Sequence, residues 1–125
     1  MEKESTQEYT FKYVDYDKID DMLYGDKEYI HEFSEAAIQS FEEFSNHYKK
    51  YILAKDETSF RKAGHKIKPV AQMIGISTIV EEYEHGKELI QDDAKKEDLT
   101  LSAEKIEDIV TQVIEDLNWI CEKSK

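Results

Sequence analysis

Apolar residues recur at intervals of three and four positions along most of this 125-residue chain, and this spacing is the strongest constraint on its fold. Residues at such intervals share one face of an α-helix, whereas a half-buried strand needs alternation of apolar and polar residues, which is missing here. The chain contains 4 Gly and 1 Pro, which is few for a fold with many turns. The sequence therefore predicts a few long amphipathic helices joined by short loops.

Capping residues and apolar stripes place one short helix and four long ones. The short helix is expected to begin after Asp17 and to end near Tyr24, with Gly25 just past its end. The long helices are expected from Asp26 to about Ile52, from Asp56 or Thr58 to about Ile74, after Ser77, and after Ser102. We predict an all-α fold, an antiparallel four-helix bundle with the short helix packed across one end. Residues 1–10 are expected to form a flexible N-terminus, and residues 11–125 one domain.

The charge balance limits the partners that this chain can bind. Its formal net charge is −12, which opposes binding to nucleic acid or to an anionic membrane. No apolar run approaches the roughly 18–20 residues of a membrane span, and the first ten residues lack the features of a secretory signal. The single cysteine, Cys121, excludes an internal disulfide, and we expect it in the core. We expect a cytoplasmic monomer.

One predicted helix carries a histidine close to the only proline, in the stretch AGHKIKPVAQMIG at 63–75. At about 100° per residue, His65 lies about 170° from the centre of the apolar face of this helix. His65 is therefore expected to point to solvent. Pro69 removes the amide that would bond the His65 carbonyl, at a cost of roughly 3 kcal/mol in a helix interior. The apolar face consists of Phe60, Ala63, Ile67, Val70, Ala71 and Ile74.

Basic residues share the outward side of this helix with His65. The segment from Arg61 to Lys68 contains four basic residues and no acidic one. An exposed imidazole in a compact basic patch suits a site that receives an anion, since a neutral ring nitrogen is a nucleophile near pH 7. Lys68 lies one turn after His65 and Arg61 one turn before it, so both side chains can reach a group attached to the ring. The alternative is a solvated helix face with no chemical role.

These residues resemble the motif of histidine-containing phosphotransfer (HPt) domains, which act in multistep phosphorelays of two-component signal transduction. His65, Lys68 and Gly75 match three positions of that motif, and Pro69 stands where the family usually has Gly. The stretch YVDYDKIDDMLYGDKEYIHEFSEAAIQSF is similar to the N-terminal half of the family, with its short helix, Gly-Asp turn and long helix. The resemblance covers nearly all of residues 13–121.

The resemblance implies that His65 accepts a phosphoryl group from an aspartyl phosphate and passes it to a second aspartate. Lys68 would help to hold the phosphoryl oxygens of the phosphohistidine. The implied partners are receiver domains of response regulators or of hybrid sensor histidine kinases, which would supply the Mg²⁺. We expect no cofactor in this chain and no kinase activity of its own, because a Gly-rich phosphate loop and kinase motifs are missing. The expected partner contacts are Arg61, Lys62, Gly64, Pro69, Gln72, Met73, Gly75 and Ile76.

Two alternatives compete with phosphotransfer. The chain could be a docking module that binds a receiver domain without transferring a phosphoryl group. A four-helix bundle can also hold a di-iron site built from paired Glu-x-x-His motifs, and Glu28–His31 and Glu82–His85 have this form. Both histidines lie more than about 100° from the apolar stripes of their helices, so the spacing argues against a metal site in the interior.

Overall fold

Five α-helices and no β-strand occur in residues 9–125, the part of the chain that this computed structural model describes. This confirms the all-α prediction. Residues 1–8, most of the predicted flexible N-terminus, lie outside the described residues. None of the described helices is both long and apolar enough to cross a membrane. The helices are α1 (Tyr16–Met22), α2 (Lys27–Leu53), α3 (Glu57–Met73), α4 (Thr78–Gln91) and α5 (Lys96–Lys123).

Aspartate side chains cap three of these helices. The carboxylates of Asp15, Asp26 and Asp56 accept hydrogen bonds from backbone amides three residues later. Such bonds are stabilising because the first amides of a helix have no partner inside it. The caps predicted at Asp26 and Asp56 are confirmed. The cap predicted at Asp17 is wrong by two residues, since Asp17 lies in the first turn of α1.

The last helix begins earlier than the sequence predicted. Residues 96–101, expected in a polar loop, are helical, and Ser102 lies buried in the second turn of α5 instead of capping it. The Ser102 hydroxyl donates to the carboxylate of Glu82 in α4 at 2.6 Å. A serine is favoured at an N-cap because its hydroxyl accepts a hydrogen bond from an unpaired backbone amide of the first turn. The Ser102 hydroxyl is instead bonded to another helix.

The predicted apolar stripes face one shared core. α2 packs against α3 and α5, and α4 packs against the same two helices. Cys121 is 7% exposed, which confirms its predicted core position, whereas Phe33 and Val70 are only partly buried. The largest fully buried side chains of the long helices are Ile30, Phe41, Tyr48, Ile52, Phe60, Ile67, Ile79, Tyr83, Leu99 and Ile106.

A buried carboxylate fastens the segment before α1 to the last helix. Asp116 is fully buried in α5 and accepts hydrogen bonds from the backbone amides of residues 12–14 at 2.9–3.2 Å. Tyr9 donates its hydroxyl to the same carboxylate, and its ring stacks on Trp119. Trp119 therefore packs against the N-terminal segment and is partly buried.

The turn after α3 is held by backbone hydrogen bonds on both sides. The Ile76 amide donates to the Ala71 carbonyl at 2.9 Å and the Gly75 amide to the Gln72 carbonyl at 3.2 Å, which is the Schellman arrangement. Gly75 has φ +78°, a conformation that side chains disfavour. The Asp15 amide also donates to the Ile74 carbonyl. This end of α3 is thus fixed against the N-terminal segment.

Candidate functional site

α3 presents His65 to solvent near the middle of its length, which confirms the orientation predicted from the helical wheel. The opposite side of α3 enters the core. Because the helix is anchored along that side, the imidazole projects from a rigid element instead of a loop. The buried residues of α3 and its cap are Phe60, Ala63, Gly64, Ile67, Ala71 and Ile74.

Acidic side chains neutralise part of the basic segment around His65. The Lys66 ammonium lies 3.0 Å from a carboxylate oxygen of Glu43 in α2. The Arg61 guanidinium lies 2.9 Å from the carboxylate of Glu57, one turn earlier in α3. The sequence predicted a compact basic patch, and the structure corrects it to a surface on which most cations already have an anionic partner. The acids were not visible in the segment because most of them lie on other helices.

Lys68 is held by two residues of α4. Its ammonium lies 3.0 Å from one carboxylate oxygen of Glu84 and 5.4 Å from the centre of the Tyr83 ring. The second oxygen of Glu84 lies 2.8 Å from the ammonium of Lys87, which is 5.3 Å from the same ring. Hydrogen bonds from Lys87 and then Lys68 lower the pKa of the Glu84 carboxyl. The carboxylate therefore stays charged and bridges two cations above an aromatic face.

Tyr83 supports the turn of α3 that carries His65. The Tyr83 ring is 2% exposed and packs directly on Gly64, where a Cβ atom would overlap the ring carbons. It also stacks on Phe60 with 5.1 Å between ring centres, and its hydroxyl donates to the Arg61 carbonyl at 3.4 Å. Burial raises the pKa of the Tyr83 hydroxyl, so it stays protonated and serves as a donor.

Pro69 lies on the exposed side of α3, four residues after His65. The helix continues through it to Met73. Since proline has no amide hydrogen, the His65 carbonyl has no helical donor from this position. Core packing does not fill the surface around Pro69, which leaves room for an approaching molecule.

Four of the predicted contact residues are on the surface of α3, as expected. Lys62, Pro69 and Gln72 are exposed, and Met73 is 40% exposed. Lys62 has no ion-pair partner among residues 9–125. Met73 is therefore the apolar group that this surface offers to a partner, about three turns along α3 from the cation of Lys62.

Two other predicted contact residues are buried, which corrects their placement on the partner surface. Ile76 is 4% exposed because the turn after α3 folds it back toward Ala71, the usual apolar contact of a Schellman turn. Gly64 faces the Tyr83 ring, so its small size serves the packing of α3 on α4. Gly75 is exposed, and its positive φ allows the chain to turn at the end of α3.

Sequence reasoning missed the contribution of α4. Lys68 contacts Tyr83 and Glu84, and Lys87 contacts the same two residues. None of these three α4 residues was predicted as a site residue. The signal in the sequence is the Glu84–Lys87 pair at a spacing of three, which shares one helix face. That spacing alone does not indicate which neighbouring helix the pair faces.

The two Glu-x-x-His strings have separate hydrogen-bond partners. His31 Nδ1 lies 3.0 Å from the Cys121 carbonyl oxygen, and His85 Nδ1 lies 3.0 Å from the Glu82 carboxylate. Glu28 is exposed. In residues 9–125 no three His, Cys, Asp or Glu side chains are grouped so that they could hold a metal ion.

A second polar cluster joins three helices away from His65. The Glu82 carboxylate is almost fully buried and accepts from Ser102 at 2.6 Å, and Lys105 lies 3.3 Å from it. The Tyr48 hydroxyl donates to the Glu82 carbonyl and lies 2.7 Å from the Ser102 hydroxyl. Burial acts to raise the pKa of Glu82, but the hydrogen bonds from Ser102, His85 and Lys105 outweigh it and leave that pKa lowered.

Comparisons of this chain with protein-family models, curated proteins and solved structures found no match.

Proposed function

We propose that this chain is a histidine phosphotransfer protein that relays a phosphoryl group between aspartates of receiver domains through His65. The observation that supports this most is the exposed imidazole on a rigid helix, with the Lys68 ammonium one turn away. We further propose that the four long helices form an antiparallel bundle with α1 across one end. The short connections at 54–56, 74–77 and 92–95 favour antiparallel neighbours.

The proposed transfer needs little chemistry from this chain beyond placement. The lone pair of the unprotonated ring nitrogen forms the P–N bond as the P–O bond of the aspartyl phosphate breaks. The bonding electrons stay on the aspartate carboxylate, and the second ring nitrogen keeps its proton. Lys68 stabilises the charge on the phosphoryl oxygens. The receiver domain supplies Mg²⁺, and the return transfer reverses these steps.

The proposed partner is a receiver domain of a response regulator or a hybrid kinase in the cytoplasm. Met73 offers an exposed apolar contact about two turns after His65, and Lys62 offers a cation without an ion-pair partner among residues 9–125. Pro69 leaves the surface between them open. The net charge of −12 opposes binding to nucleic acid. We propose that one monomer suffices, since every residue of the site comes from one chain.

Phosphotransfer to His65 is tested by mixing the protein with a panel of phosphorylated receiver domains. We expect an acid-labile, base-stable phosphoramidate on the wild-type protein and none on His65→Gln. The control is His47→Gln, which changes a histidine of α2 and should keep the label. Label that persists in His65→Gln would place the acceptor elsewhere. Receiver binding without any transfer would favour the docking function instead.

Lys68→Ala tests the role of the lysine in the same assay. We expect transfer about tenfold slower, because a cation that stabilises the transferring group is worth about 1.4 kcal/mol or more. The fold should be intact, since the side chain is on the surface. Lys49→Ala, at an exposed lysine of α2, is the matched control, and its transfer rate should change less. Equal rates for Lys68→Ala and the wild type would remove Lys68 from the mechanism.

A further inference from the structure

Glu84 lies where it can compete with a phosphoryl group for Lys68. Its carboxylate is 3.0 Å from the Lys68 ammonium and 45% exposed, so the pair sits at the edge of the surface that carries His65. His65 and Lys68 are three residues apart on α3, which puts their side chains about 5–6 Å apart at Cβ. An ammonium on so long a stem can bind either Glu84 or a group attached to His65.

Lys87 changes the balance of that competition. It lies 2.8 Å from the other oxygen of Glu84, and its side chain is 19% exposed. Both ammonium groups also face the Tyr83 ring at 5.3–5.4 Å. If Lys68 leaves, Glu84 therefore keeps a cationic partner and its charge is not left unpaired. The release of Lys68 then costs less than the breaking of an isolated ion pair.

We propose that Glu84 is a positioning residue that holds Lys68 while His65 is free and releases it to the phosphoryl group when His65 is phosphorylated. Lys87 stays on Glu84 in both states. Lys68, Glu84 and Lys87, here called the charge relay, together carry a net charge of +1. They stabilise a dianion on His65 only after Lys68 has moved from Glu84 to the phosphoryl group. This inference depends on the proposed phosphotransfer function and adds two α4 residues to it.

The relay predicts opposite effects for two substitutions. Glu84→Gln frees Lys68, so the phosphorylated state should become more stable. The equilibrium fraction of phosphohistidine against a given receiver should rise about threefold. Lys87→Met leaves Glu84 with Lys68 alone, so that fraction should fall by a similar factor. Glu84→Asp should restore a value closer to the wild type. Thermal melts of each variant check that these surface changes leave the fold intact.

A second measurement needs no receiver domain. His65 is phosphorylated chemically with phosphoramidate, and the second ionisation of the phosphoryl group is followed by ³¹P NMR. In Glu84→Gln one nearby negative charge is removed and Lys68 is free to reach the phosphoryl group. The midpoint of this ionisation should therefore fall by about half a pH unit. Lys87→Met should raise it. Lys68→Met separates the two causes, because in that background the Glu84→Gln shift should shrink to less than half.

The two measurements distinguish the failure of this inference from the failure of the proposed function. If Glu84→Gln shifts the midpoint equally with and without Lys68, the exchange of partners is rejected, whatever the receivers do. If the NMR cycle shows the coupling but no receiver phosphorylates wild-type His65, the proposed function fails and the charge relay stands. Identical midpoints in the wild type, Glu84→Gln and Lys87→Met would overturn the relay outright.

Discussion

At the scale of single residues, two glycines allow the close packing beneath His65. Tyr83 lies against Gly64, and in the opposite direction Phe60 and Tyr48 approach Gly86, where a Cβ atom would lie 2.8 Å from Phe60 Cζ. The Phe60 ring lies between the other two, tilted by 59° against Tyr48 at 4.8 Å between ring centres and stacked on Tyr83 at 5.1 Å. The site is thus supported by aromatic rings that fit only because the facing helix positions have no side chain.

We predict that Gly64→Ala destabilises the protein by about 1–3 kcal/mol, the usual result of overpacking. In an exposed helix the same change would stabilise by about 1 kcal/mol, so the sign of the effect is informative. Urea unfolding followed by circular dichroism measures it. Gln72→Ala, on the exposed face of the same helix, is the control and should change stability by less than about 0.5 kcal/mol. A Gly64→Ala protein as stable as the wild type would show that Tyr83 moves aside freely.

At the scale of the element, α3 combines a firm start and end with a weakened middle. Asp56 caps its first turn and the Schellman turn at Gly75 closes its last. Between them Pro69 leaves the His65 carbonyl without its helical donor. The hydrogen-bonded ends and the buried face keep this helix in place, and the weak point lies on the solvent side, beside the proposed nucleophile.

We predict that Pro69→Ala raises the free energy of unfolding by about 1–3 kcal/mol, because it restores one hydrogen bond and a good helix former. No core contact is lost, since Pro69 is exposed. Thermal and urea unfolding measure the gain, and Lys62→Ala on the same face is the control, expected within about 0.5 kcal/mol of the wild type. Unchanged or lower stability would mean that the proline stabilises by restricting the unfolded chain.

At the scale of the whole molecule, two buried carboxylates join elements that are distant in sequence. The Asp116 carboxylate connects the segment before α1 with α5, and the Glu82 carboxylate connects α4 with α5. The backbone carbonyl of Glu82 also accepts a hydrogen bond from Tyr48 of α2. Each carboxylate accepts several hydrogen bonds, as a buried charge must if it is not to destabilise the fold. These contacts fix the helices around α3 and so fix the acids that pair with its cations.

We predict that Glu82→Gln lowers the free energy of unfolding by about 1–3 kcal/mol at pH 7. This gap between the variant and the wild type should narrow at acidic pH. The pKa of Glu82 is lowered in the folded state, so its contribution is present above the pKa of the unfolded chain, near 4.5, and is lost as pH falls through the lower folded value. Urea unfolding from pH 7 to pH 3 measures the gap. Exposed Glu88→Gln is the control and should show little difference throughout. A constant gap would mean that the charge of Glu82 contributes nothing.

The number and order of the described helices, the core face of α3 and the exposure of His65 were predictable from the sequence, but the first turns of α5 were not. The predictable features follow from the period of the apolar residues and from local capping chemistry, which act within a few turns of one helix. Which charges meet across helices is visible only in the folded chain. Glu43 and Glu84 neutralise the basic segment, Ser102 leaves its predicted cap for Glu82, and Ile76 turns inward. Such pairings depend on the rotation and spacing of neighbouring helices, which the periodicity of a single helix does not specify.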